Sequence, residues 1–114
     1  MSFAKPATGV IFIDDESEVS FNSLAENSPL KKSIRKAISD LKENVFCGES
    51  VKKEKIPKIY IKKYQIDNLW WYPLSEGWRL VYSIMIPNRV EILGVILEYF
   101  NHKDYERRFG YKWK

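Results

Sequence analysis

Three stretches decide the fold: DNLWWYPL at 67–74, GWRLVYSIMI at 77–86 and RVEILGVILEYF at 89–100. All are rich in aromatic and β-branched residues, which suit a pleated, half-buried surface. SEG parts the first from the second, and PN parts the second from the third. Both gaps are hairpin-sized. The pattern predicts an antiparallel meander with strands at 68–74, 78–86 and 90–100. Alternation along the middle strand puts Arg79, Val81, Ser83 and Met85 on one face. Trp78, Leu80, Tyr82, Ile84 and Ile86 share the other. The last strand is apolar on both faces, which predicts a central position.

Upstream, GVIFI at 9–13 reads as a strand, with DDES as its polar exit. Residues 17–27 set Phe21, Leu24 and Ala25 on one side, as a short helix would. NSPLKKSIRKAISDLKENVF at 27–46 is a clearer helix. Ser28 caps it, Pro29 suits its first position, and Leu30, Ile34, Ala37, Ile38, Leu41 and Val45 form an apolar stripe. Lys31, Lys32, Arg35, Lys36 and Lys42 occupy its other faces. The charged segment 48–64, with Pro57, reads as a connection holding at most a turn of helix or an irregular strand. HKDYERRF at 102–109 reads as a short helix. The expected architecture is α+β, in the order β-α-α-β-β-β-α, as one domain over 1–114. An antiparallel sheet of about four strands carries the two N-terminal helices on one face, takes the first strand at an edge, and ends in the short C-terminal helix.

A 45% hydrophobic composition excludes a disordered chain. The single cysteine, Cys47, cannot form an internal bridge, which fits a reducing compartment. No run of apolar residues is long enough to span a bilayer, and no signal pattern opens the chain. A soluble, cytoplasmic protein is the expectation, without a membrane partner. Charge is segregated. Residues 31–63 hold eleven Lys/Arg against four acids, and residues 101–114 hold five against two. Brought together, these segments make a basic face for a polyanion; lysines coating a helix for solubility are the bland alternative.

No glycine-rich phosphate loop follows a strand. One His and one Cys argue against a zinc site, and neither a metal nor another cofactor is expected. Asp14 and Asp15 read as an acidic turn, and Cys47 as a small buried residue at a helix end rather than a nucleophile paired with His102. Arg79 stands mid-strand, where a guanidinium needs a carboxylate such as Glu91 or Glu98, or a groove to point into. Antiparallel pairing returns His102 and Lys103 toward it. That grouping suits cleavage of RNA by its own 2′-hydroxyl attacking the adjacent phosphate, which needs a base, an acid and fixed positive charge. His102 has the pKa class for proton transfer and Arg79 the fork for phosphate oxygens. Lys103, Arg107 and Arg108 add field, and Tyr105 or Tyr111 can stack on a base. His102 as a helix cap, and Tyr105 with Phe109 as a packed i,i+4 pair, are the structural alternatives.

GWRLVYSI, ILGVILEYFNHKDYERRFGY and IPKIYIKKYQIDNLWWYPL together resemble the RelE/ParE superfamily of type II toxin–antitoxin systems, in a branch with HK-x-Y endings. The resemblance runs from about Leu30 to Tyr111 and is carried most by the G-[WY]-R-L-V-Y element. It implies a small basic toxin that enters the ribosomal A site, cleaves mRNA and is neutralised by an antitoxin wrapped over it. It admits a homodimer or a hetero-oligomer with that antitoxin. Arg79 matches the arginine that contacts the scissile phosphate, and His102 and Lys103 fall where basic or His residues follow the last strand. Tyr105, Phe109 and Tyr111 lie where some members carry a catalytic or stacking tyrosine. RelE-like lysines on the strand equivalent to LWWYPL are missing; Trp71 and Pro73 stand there. Lys52, Lys53 and Lys55 replace them if that segment folds over the site. The resemblance also admits a non-catalytic protein- or RNA-binding module and, on the ParE side, a gyrase inhibitor.

Overall fold

The structure, a computed structural model, describes residues 6–110. The elements run β1 (Gly9–Phe12), α1 (Asp15–Asn22), α2 (Pro29–Glu43), β2 (Glu49–Ser50), α3 (Lys58–Tyr64), β3 (Trp70–Pro73), β4 (Arg79–Met85), β5 (Leu93–Phe100) and α4 (His102–Phe109). The class is α+β. The sheet has five strands in the order β1-β5-β4-β3-β2. β1 runs parallel to β5, and the other pairs are antiparallel.

Two expectations need correcting. The sheet is mixed, not antiparallel throughout, because β1 joins the last strand rather than a neighbour in sequence. Its partner lies across the whole chain, which is the long crossover a parallel pair requires. The segment 48–64 also supplies a strand and a helix. β2 is only two exposed residues long, so it has no alternation to read. α3 hangs on one buried residue, Tyr60, among exposed lysines and isoleucines.

The meander stands as expected, with shorter strands. β5 begins late because the Asn88 side chain accepts from the backbone N–H groups of Val90 and Glu91 and so builds a turn there. The alternation on β4 sorts the core. Leu80 and Tyr82 face Ile34, Ala37, Leu41 and Val45, on the side covered by α1 and α2. Val81 faces Ile56, Tyr60, Leu97, Phe100 and Tyr105, on the side covered by α3 and α4. The two N-terminal helices do lie on one face, and the other face is covered as well.

A β-bulge interrupts β5. Val81 pairs with Glu98 and Tyr82 with Ile96, which leaves Leu97 as the extra residue. Leu97 and Glu98 therefore both turn toward α3 and α4, where Leu97 packs in the core and Glu98 meets Tyr60 and Arg108.

Local capping explains the helix ends. Ser28 accepts from the Lys31 N–H, and Asp14 accepts from the Ser17 N–H, so the acidic turn is the cap of α1. Lys31 is not solvated, as its place among the helix cations implied. It is 3% exposed. Its ammonium donates to the carbonyls of Asn22 and Leu24 and to the Glu26 carboxylate at 2.7 Å. The first turn of α2 crosses the end of α1, where carbonyls lack helical partners. Cys47, expected to be buried, is exposed in the turn after α2. No described helix is long and apolar enough to cross a membrane.

Candidate nucleic-acid interface

Arg79 opens β4 between Pro73 of β3 and Phe100 of β5. Its side chain lies on the face covered by α3 and α4. Trp71 sits diagonally on the next strand, two residues before Pro73, so it shares that face. The guanidinium carbon is 3.7 Å from the Trp71 ring centroid and 4.6 Å from that of Tyr105. The cation is stacked between two rings, an arrangement that suits a planar guanidinium and not an ammonium.

Tyr105 is itself fixed. It is buried, stacks on Phe109 at 4.2 Å and meets Phe100 edge-on at 5.6 Å. The core-pair reading of Tyr105 and Phe109 holds.

A cleft of about 210 Å³ opens over this stack. Tyr105 forms one wall, and Ser50, Val51, Lys52 and Lys55 form the other. Among the described residues, none that lines the cleft is acidic. Three cations thus converge from two distant parts of the chain. The strand hydrogen bonds carry the lysines there. Ser50 pairs with Trp70, and the Val51 N–H donates to the Leu69 carbonyl at 2.8 Å. The chain then turns through a short 3-10 turn at Lys53–Lys55 and is pinned by buried Ile56. β2 enters this close only because residue 48 is glycine. A Cβ there would stand 2.5 Å from the Trp71 carbonyl oxygen.

The other predicted residues divide. Lys53 shares the turn but is exposed and does not line the cleft. His102 and Lys103 are exposed at the start of α4 and do not line it either. Asn101, not His102, caps α4, through its acceptance from the Asp104 N–H at 2.9 Å. His102 lies beside Gly77, with its Nδ1 3.8 Å from where a Cβ on that glycine would sit. The cleft brings Arg79 together with Tyr105, Lys52 and Lys55. The helix turns Tyr105 inward and leaves its first two residues at the rim. Arg107 pairs with Asp104 at 3.2 Å on the surface. Arg108 holds Glu98 through two hydrogen bonds of 3.0 and 2.9 Å. Tyr60 donates to the same carboxylate. Burial, then that hydrogen bond, pushes the Tyr60 hydroxyl far above its ordinary range, so it stays a donor. Glu98 is thus taken by Arg108 and Tyr60. Tyr111 lies outside the described residues.

Sequence reasoning missed Trp71 and Ser50. Trp71 was legible, since its register with Val81 follows from the hairpin. Ser50 was not, because β2 leaves no pattern. Among the described residues, no group of three or more His, Cys, Asp or Glu is placed to hold a metal ion. No family model, curated protein or solved structure matches the chain.

Proposed function

We propose that the cleft seats a backbone phosphate of single-stranded RNA and that the protein is a RelE-like, metal-independent endoribonuclease acting on ribosome-associated mRNA in the cytoplasm, held in check by an antitoxin. The observation that carries this reading is the convergence of Arg79, Lys52 and Lys55 on one cleft that has no acid among its described lining residues. The lysines missing from the LWWYPL strand are supplied by the neighbouring turn. In this reading the edge of Arg79 holds two non-bridging phosphate oxygens. The 2′-hydroxyl gives its proton to solvent water and its oxygen attacks phosphorus, the bond to the 5′-oxygen breaks, and the products are a 2′,3′-cyclic phosphate and a 5′-hydroxyl. Lys52 and Lys55 offset the charge of the phosphorane and supply the proton that the departing oxygen needs.

The position of His102 favours a second reading. It is the only imidazole of the chain, and it lies outside the residues lining the cleft. A protein that holds RNA without cutting it needs no such base.

Translating ribosomes on a defined mRNA separate the two. The nuclease reading expects new 5′ ends with the wild type that are lost with Arg79→Ala and with Lys52→Ala/Lys55→Ala. Identical ends in all samples overturn it. RNA binding that is lost in the same variants then supports the binding module.

A further inference from the structure

We infer that Glu98 is a positioning residue that sets the width of the Arg79 cleft, because its one carboxylate ties the two cleft walls together; this rests on the cleft being the RNA site. The wall bearing Lys52 and Lys55 runs on through Ile56 into α3, and there the Tyr60 hydroxyl donates to Glu98 Oε2. The opposite wall is α4. Arg108, one turn after Tyr105, donates from Nε to Oε2 at 3.0 Å and from Nη2 to Oε1 at 2.9 Å. The two donors also meet each other, with the Arg108 guanidinium carbon 5.7 Å from the Tyr60 ring centroid.

The bulge makes this tie available. In a regular strand Glu98 would share the face of Ile96 and look toward α2; the extra residue Leu97 turns it to the side of the cleft. The side chains of Glu98 and Arg108 are 29% and 33% exposed, so the pair is partly shielded from water and oriented by two bonds. Tyr105 and Phe109 seat α4 on the core, and the Glu98 tie adds a polar hold one turn further on. Small displacements matter at a site that grips a phosphate from two sides, since misplacement by about 1 Å can cost about a hundredfold in rate.

Glu98 touches no ligand in this account, so its test must exclude a general effect on folding. Binding of a short, labelled single-stranded RNA is measured by fluorescence anisotropy for the wild type, Tyr60→Phe, Arg79→Ala and the double variant, with thermal melting of each. Tyr60→Phe keeps the ring and removes one tie. It is expected to weaken binding about fivefold in the wild-type background and to have no further effect once Arg79 is gone. Arg108→Lys, which restores one of two bonds, is expected to bind between Arg108→Met and the wild type. Equal weakening by Tyr60→Phe in both backgrounds overturns the inference, because the residue then acts outside the cleft. So does wild-type affinity in Tyr60→Phe while Arg79→Ala is impaired. If Arg79→Ala binds like the wild type, the RNA site itself is lost and the inference goes with it.

Discussion

The hydroxyl of Tyr82 donates to the Val45 carbonyl at 2.9 Å and accepts from the Gly48 N–H at 3.1 Å. Val45 closes α2 onto the sheet and Gly48 leads into β2, so one phenol spans the passage between them. A Cβ on Gly48 would meet that hydroxyl at 2.8 Å and the Trp71 carbonyl at 2.5 Å. Gly48→Ala is expected to cost about 1–3 kcal/mol through overpacking. Tyr82→Phe is expected to cost about 1–2 kcal/mol by leaving two backbone groups unpaired. Urea midpoints at unchanged slope check both, and a midpoint for Gly48→Ala equal to the wild type rules out the close approach.

Lys31 predicts a loss at a position that looks like surface in the sequence. Lys31→Met keeps the length of the stem and removes the ammonium from Asn22, Leu24 and Glu26. The expected cost is about 1–3 kcal/mol. Lys32→Met, at an exposed site on the same turn, is expected to lie within about 0.5 kcal/mol of the wild type.

Acid should loosen the same corner. The Lys31 hydrogen bond, then that of Arg35, holds the Glu26 carboxyl down at about 2 against an ordinary 4.5. A carboxyl depressed in the folded state stabilises it fully above its unfolded value. That contribution is lost as pH falls from 4.5 toward 2. Stability measured across this window is expected to fall, and Glu26→Gln is expected to flatten part of the fall. A variant profile parallel to the wild type at every pH removes Glu26 from the account.

The stacked guanidinium gives a prediction for RNA. Arg79→Lys keeps the charge but loses the planar group between Trp71 and Tyr105. It is expected to weaken RNA binding about tenfold, as the exchange is not conservative at a stacked site. Lys52→Ala/Lys55→Ala is expected to lower the slope of log affinity against log salt by about 1.4, the value for two phosphate contacts on a single strand. An unchanged slope means that the lysines do not meet phosphate.

What the sequence disclosed follows the physics of each element. β3, β4 and β5 were legible because alternation and hairpin spacing are local signals, and they also fixed the face on which Arg79 lies. α2 was legible from its cap and its stripe. β2 was invisible, since two exposed residues held by their partner strand carry no period. The bulge at Leu97 was invisible too, because one inserted residue in an apolar run changes no composition. Glu98, one of two carboxylates considered for Arg79, is held instead by Arg108 and Tyr60. The site shared this fate: Arg79 and Tyr105 could be assigned from strand and helix periodicity, whereas Lys52 and Lys55 needed the tertiary fold to reach them.

The parallel pairing of β1 with β5 also bears on the order of events in folding. Thr8 donates its N–H to the Ile92 carbonyl at 2.8 Å, across 84 positions of sequence. During synthesis β1 leaves the ribosome well before its partner β5 is made. Until then Val10 and Phe12 have no β5 beside them. Closing so long a loop is expected late, after the local hairpins have formed. Substitutions in β1 should therefore speed unfolding and leave the folding rate nearly untouched.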